Sequence, residues 1–481
     1  MHPRPVFHLV SFLLMVLGLA MGLCLGVGWM HDDPGLALKG MALASALTLL
    51  SGAVMWATTR HDVELTTRDG IGVVTFGWIS ACLVGTLPFL LTRSTPTFLD
   101  ALFEVVSGLT TTGASIIPDP ALLPRCVLFW RALTHFFGGM GILVLCVAIL
   151  PLLGSGGMQI YRAETSGVAQ DRLKPRIAST AKLMWGIYVL LNVALTVLLK
   201  LGGMSWFDAT CHSFAAVATG GFSTQAASIA AYHSLYIEIC LIIFMFISAT
   251  NFALHYRALQ GRWPYFRDAE FRFYLGFWLI SCLLLTGILW HSVHPGQVGP
   301  SARAAFFTGT SLLSTTGFCT EDFDRWPAAA KIILVLGMLV GGCAGSTAGA
   351  IKQVRLLVVL KRIGREIWQF MNPQAVLPLK LGRQHVEQPV ANHISTYFGL
   401  YLLVFALASL GVSFFTDGET ALTAVAATLG GVGPGFAMAG ASETFAPFAA
   451  PAKAILILCM LMGRLEFYAL FAILSPRFWN R

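Results

Sequence analysis

Phe98-Leu-Asp-Ala-Leu-Phe-Glu-Val-Val-Ser-Gly-Leu-Thr-Thr-Thr-Gly113 is the stretch on which the fold of this chain turns. Its first twelve residues read as a helix, yet they are too few to cross a bilayer, which takes about 20 apolar residues. They run straight into a Thr/Gly tract. The same design recurs at 207–221, 304–317 and 422–433, with helical stretches Phe207 to Val217, Ala304 to Leu313 and Leu422 to Leu429. Aligning Gly113, Gly221, Gly317 and Gly433 gives spacings of 108, 96 and 116 residues, and an alanine stands twelve residues before each: Ala101, Ala209, Ala305 and Ala421. Two residues before the glycine stand Thr111, Thr219, Thr315 and, in the fourth copy, Gly431.

Around these stretches lie ten longer apolar runs: Pro5 to Met30, Leu36 to Thr58, Ile71 to Leu91, Val127 to Leu153, Leu183 to Leu201, Tyr236 to Leu254, Phe273 to Trp290, Ala329 to Val359, His393 to Phe415 and Ala452 to Leu474. Of 481 residues, 56% are hydrophobic and only 11% charged, against roughly 25% charged in soluble domains. The predicted class is an all-α integral membrane protein of ten transmembrane helices. Four parallel copies of span, half-helix, loop and return span surround a pseudo-fourfold pore, preceded by a two-helix hairpin. The corresponding units are 1–66, 67–160, 161–260, 261–365 and 366–481. Parallel copies disfavour the alternative of a coupled secondary transporter, whose broken helices commonly belong to inverted repeats.

Basic residues set the orientation. With the N-terminus inside, 21 of the 31 Lys and Arg fall in inner segments, among them Arg60, Arg68, Arg162, Arg172, Lys174, Arg176, Arg257, Arg262, Arg267, Arg272, Lys361, Arg362, Arg365 and Arg383. Both termini are therefore expected in the cytoplasm. The net charge of +8 is a basic inner face set against a more acidic outer one, not a nucleic-acid surface. The ten cysteines form no CxxC pair and read as small buried residues.

A half-helix that stops inside the membrane leaves carbonyls that only protein, water or an ion can satisfy. Glycine lets successive carbonyls turn toward one axis, threonine adds hydroxyl oxygens, and the helix C-terminus favours a cation. The expected filter is Thr110, Thr111, Thr112 and Gly113; Ala218, Thr219, Gly220 and Gly221; Ser314, Thr315, Thr316 and Gly317; and Gly430, Gly431, Val432 and Gly433. Its oxygens would come from Thr111, Thr112, Thr219, Gly220, Thr315, Thr316, Gly431 and Val432, in rings suited to K⁺. Residues 345–352, Gly-Ser-Thr-Ala-Gly-Ala-Ile-Lys, lack the Gly-Lys-[Ser/Thr] of a phosphate cradle. No catalytic constellation stands out, so neither enzyme activity nor an organic cofactor is expected.

With its four tracts, Thr67-Arg68-Asp69-Gly70, Gly341-Gly-Cys-Ala-Gly-Ser-Thr-Ala-Gly-Ala-Ile-Lys352 and Met462-Gly-Arg-Leu-Glu466, the chain resembles, over essentially its whole length, the membrane subunit of bacterial Trk potassium uptake systems, the TrkH/TrkG family related to KtrB. That resemblance implies K⁺ uptake across the bacterial cytoplasmic membrane, a homodimer with one pore per protomer, and a cytosolic regulatory ring of the TrkA type that binds NAD or ATP. The fourth tract departs from the family pattern at Gly431, where an Asn is frequent.

The run Gly341, Gly342, Gly345, Ser346, Thr347, Gly349 and Lys352 is too dense in small residues for a regular helix. Irregular backbone at membrane depth lines a cavity, and the resemblance makes this loop the gate. Arg464 lies within the last apolar run, where a charge costs about 2.5–3.5 kcal/mol. It is read either as a structural salt bridge or, following the resemblance, as a pore-facing barrier to cations. Asp100, Glu104 and Asp208 are helix caps or gatherers of cations at the outer mouth, while His212, His255, His291, His294 and His393 show no metal-ligand spacing.

Overall fold

The computed structural model describes residues 1–59, 66–141, 177–375, 377–382 and 384–479. Nearly all of its secondary structure is helical. Helices α1 (Pro3–Met30) and α2 (Gly35–Thr58) form an antiparallel hairpin packed on α3 (Thr67–Gly85). Ser45 ties the two together by donating to the Gly18 carbonyl at 2.8 Å. The hairpin turn reaches further: Asp33 accepts the amides of Arg125 and Cys126 at 2.9 and 2.7 Å, capping α6 (Arg125–Phe136) from 92 residues away. A capping box of Thr66 and Asp69 opens α3, so the Thr-Arg-Asp-Gly motif is a helix start. A break at Thr86, with Pro88 lacking an amide donor, separates α3 from α4 (Leu87–Leu91).

The half-helices are α5 (Phe98–Leu109), α8 (Trp206–Val217), α12 (Val298–Leu313) and α16 (Gly418–Gly430). Three begin on a side-chain cap, Thr97, Ser205 or Asp417, which accepts the amide three residues on. The third starts six residues earlier than its apolar pattern indicated, because Val298 to Arg303 are helical without being uniformly apolar.

Among the described residues, six spans are long, apolar and continuous enough to cross a membrane: α1, α2, the bent α3–α4, α7 (Ile177–Leu201), α11 (Ala269–Ser292) and α15 (Gln388–Ser413). Three of the other apolar runs are broken. Helix α9 (Leu235–Ser248) turns by 101° into α10 (Phe252–Leu259). The run from Ala329 to Val359 divides into α13 (Ala328–Val340) and the amphipathic α14 (Gln353–Met371), which leads into a two-stranded hairpin pairing Lys380 with His385. The last run divides into α17 (Ala450–Leu465) and α18 (Tyr468–Leu474) at Glu466 and Phe467, both with positive φ, before the short α19 (Pro476–Trp479). The run from Val127 continues through α6 into a π-helical turn, Phe137–Gly141. Its remainder lies outside the described residues, as do Cys146, Arg60, Arg162, Arg172, Lys174, Arg176, Arg383 and the boundary at 160. The nine described cysteines are free and buried.

Each half-helix is tied to the return helix that precedes it in the ring. Arg125 faces Asp208 at 4.0 Å, Glu238 holds Arg303 at 2.7 Å, Lys331 meets Glu419 at 3.0 Å, and Lys453 meets Asp100 at 2.7 Å. The polarity is reversed in the second pair only. Leucines such as Leu19, Leu23, Leu283, Leu403 and Leu407 point outward, an arrangement that hydrocarbon solvates and water does not.

Candidate functional site

The four tracts come together and share one backbone conformation. In each, the residue two before the glycine is left-handed: Thr111, Thr219 and Thr315 at φ 55°, 56° and 60°, and Gly431 at 65°. The amide of that residue turns back to its helix, to the carbonyl of Gly108, Ala216, Leu312 or Thr428 at 3.1 to 3.3 Å. The next amide reaches one residue further, from Thr112 to Ser107, Gly220 to Ala215, Thr316 to Ser311 and Val432 to Ala427, at 2.7 to 2.8 Å. This is the Schellman termination of a helix, used four times. It consumes the amides and leaves the carbonyls. Among the described residues no backbone amide donates to the carbonyls of Thr111, Thr112, Thr219, Gly220, Thr315, Thr316, Gly431 or Val432.

The glycines then close the ring. A Cβ on Gly113 would lie 2.0 Å from the Gly220 oxygen, one on Gly221 2.0 Å from that of Thr316, one on Gly317 2.1 Å from that of Val432, and one on Gly433 2.7 Å from that of Thr112. Each tract therefore leans on the next, and the fourth returns to the first. Gly431 preserves this pattern, since a left-handed residue is required there and glycine adopts it freely. Paired hydroxyls reinforce the first and third tracts, Thr110 with Thr112 and Ser314 with Thr316, both at 2.8 Å. All four ring glycines line one cavity of about 150 Å³, together with Ser115, Gln225, Ser228 and Glu443.

The acidic residues on the half-helices divide in a way the sequence reading missed. Asp100 accepts the Thr97 hydroxyl and pairs with Lys453, and Asp208 accepts from Ser205 and Thr224. These carboxylates brace the capping hydroxyls and cross-link the helices. Glu104 is neither a helix cap nor at the mouth surface: it is fully buried, with Arg131 Nε at 2.8 Å, the Ser115 hydroxyl at 3.0 Å and the Ile116 amide at 2.9 Å. It braces the chain just beyond the first tract. His212, nine residues before Gly221 as Glu104 is before Gly113, bonds Ser223 just beyond the second. His135, which carried no signal in the sequence, stands between these two tracts.

On the far side of the ring from the cavity lies the irregular segment 341–352. Gly341, Gly345, Ala350 and Lys352 all have positive φ. The Gly349 amide donates to the Thr315 hydroxyl at 2.8 Å, and a Cβ on Gly349 would lie 2.3 Å from the Gly430 oxygen. Thr347 donates to the carbonyls of Val217 and Ser248. Ser346 bonds back to Cys343, and the Lys352 ammonium to Ala348. Gln353 bonds the Gly341 carbonyl at 2.7 Å and its own amide reaches Gly342. Glu270, not singled out beforehand, accepts the amides of Ala344 and Val354 at 2.6 and 3.1 Å from a buried position.

Arg464 reaches this loop: its guanidinium donates to Thr347 O at 3.1 Å, to Gly139 O at 2.8 Å and to Gly138 O. These carbonyls belong to the loop and to the π-helical turn. Glu466 instead holds Arg355 at 2.6 Å, and Arg355 lies 3.8 Å over the Tyr397 ring.

Residues 38–480 match the family model for TrkH, a cation transport protein. The chain is 39% identical over 487 residues to the Trk system potassium uptake protein TrkH of Escherichia coli K12, covering all of both chains. It is 35% identical to TrkG of the same organism, over all of this chain and 99% of that protein. Its structure superposes on the crystal structure of the potassium transporter TrkH from Vibrio parahaemolyticus with a TM-score of 0.89, at 36% identity and full coverage of both. A shared architecture, full-length identity and a family match extending almost from end to end lead to one conclusion: the chain is a member of the TrkH cation transport protein family.

Proposed function

We propose that this protein carries K⁺ inward across the bacterial cytoplasmic membrane through the ring of four tracts. The observation that carries the reading is the set of eight carbonyls left without backbone donors at two successive levels, at Thr111, Thr219, Thr315 and Gly431 and at Thr112, Gly220, Thr316 and Val432. A cation that sheds its water needs such oxygens, and a ring locked by glycine contacts offers them without reorganisation. The relatives' names supply the ion: Trk system potassium uptake proteins. The membrane-spanning architecture is ten helices with both termini in the cytoplasm, four repeats and the N-terminal hairpin. The broken runs then count as spans interrupted at the pore.

The 341–352 loop is the gate, since it stands directly across the ring from the cavity and is fastened to the third tract. Arg464 is its electrostatic counterpart, a fixed positive charge at the same depth that opposes cation passage until the loop moves. Two copies associate, each with its own pore, and a TrkA-type cytosolic ring acts on the basic segment that follows the loop.

The test is growth of a K⁺-uptake-deficient bacterium at low K⁺, with and without a TrkA-type partner, using wild type and Gly221→Ala. Rescue by wild type and its loss in the variant is expected. Failure of the wild type in both settings despite verified membrane insertion overturns the reading.

A further inference from the structure

The seam between the first and second tracts contains a group of a different kind from the backbone contacts that close the ring. His135, on α6, is fully buried. Its Nδ1 lies 2.9 Å from the carbonyl of Gly108, in the last turn of the first half-helix. Its Nε2 lies 3.1 Å from the amide of Phe222, the residue directly after the second tract. A carbonyl only accepts and an amide only donates, so the partners select the neutral tautomer with hydrogen on Nδ1. One rigid ring thus joins the end of one repeat to the tract of the next.

The surroundings are shaped to it. A Cβ on Gly220 would lie 2.4 Å from Nδ1, so the imidazole occupies the volume a side chain at Gly220 would need. The Phe222 ring lies 4.2 Å from the imidazole on one side and takes the Arg131 guanidinium at 4.1 Å on its own face. Arg131 is in turn held by Glu104. The carbonyl of Gly220, which contributes to the second level of the ring, is therefore flanked by Gly113 and backed by this ring.

We propose that His135 is a positioning residue for ion discrimination: as its Nδ1–H tautomer it fixes the distance between the first and second tracts and so aims the Gly220 carbonyl. This rests on reading the four tracts as the K⁺ filter. His135→Gln supplies an NH₂ donor group and a carbonyl acceptor on one amide and can satisfy both partners, whereas His135→Leu fills similar space and satisfies neither.

The experiment is the bi-ionic K⁺/Na⁺ reversal potential of the full-length protein in liposomes for wild type, His135→Gln, His135→Leu and Gly221→Ala. His135→Gln is expected to keep the wild-type permeability ratio and His135→Leu to lower it by about fivefold, as a disturbed carbonyl cage does. A wild-type ratio in His135→Leu, beside a lowered one in Gly221→Ala, overturns the role of His135 while leaving the filter intact. An unchanged ratio in Gly221→Ala as well overturns the filter reading and the proposal with it. An ¹⁵N imidazole spectrum of the folded wild type, assigned by the signal lost in His135→Gln, reads the tautomer without relying on the leucine variant; hydrogen on Nε2 would also refute the proposal.

Discussion

The amide of Gly349 donates to the hydroxyl of Thr315 at 2.8 Å, so the loop between the halves of a broken helix is fastened to the tract on which it lies. Thr315 serves two purposes at once. Its left-handed backbone forms the third wall of the ring, and its side chain holds the irregular 341–352 segment. The ring and the loop are consequently mechanically connected.

Glu270 is the second fastening point, and its removal is the cleanest way to loosen the loop without touching the tracts. Glu270→Ala leaves the buried amides of Ala344 and Val354 without their acceptor, at about 1–3 kcal/mol each. Even where water repays most of that cost, the remainder of about 1.4 kcal/mol shifts the loop equilibrium by about tenfold. We expect Rb⁺ uptake into liposomes in the absence of a partner to rise by about that factor, with unchanged K⁺/Na⁺ preference.

Arg464→Ala removes the donors to Thr347, Gly138 and Gly139 together with a positive charge. Both losses act in the same direction, and single-channel or flux recordings should show higher K⁺ passage. Arg464→Lys retains the charge but not the planar fork. It is expected to fall between wild type and alanine.

Two glycines in the fourth tract separate conformation from space. A Cβ at Gly431 has no neighbour closer than 4.0 Å, so Gly431→Ala costs only the left-handed strain, about 1–2 kcal/mol. Growth at low K⁺ should stay within about twofold of wild type. Gly433→Ala would press against the Thr112 carbonyl at a φ of 103°. It should abolish growth at low K⁺ while the protein still reaches the membrane.

The Glu104–Arg131 pair governs stability. Arg131→Met strands a fully buried carboxylate, at about 3–5 kcal/mol, and should lower the melting temperature in detergent markedly. Adding Glu104→Gln should recover part of that loss, because the remaining group is then uncharged and its Ser115 and Ile116 donors are still served.

The half-helices and tracts were legible because helix termination is local: the left-handed threonine, the glycine and the alanine twelve residues earlier all lie in one short window. The bracing groups were not. Glu104 meets Arg131 across 27 residues, His135 meets Phe222 across 87, and Glu270 meets Ala344 across 74, and no periodicity encodes such partners. The broken last helix was hidden for another reason. Its apolar character continues past Glu466 and Phe467, so hydropathy sees one run where the backbone makes two.

The closure of the ring also orders the protein's manufacture. The contact of Gly433 with the Thr112 carbonyl joins segments more than 300 residues apart, and the chain emerges from the ribosome in one direction. Three of the four tracts are made before the last exists. A chain that stops short of the fourth tract thus lacks one side of the ring, and closure waits until the last of the four has been translated and folded into place.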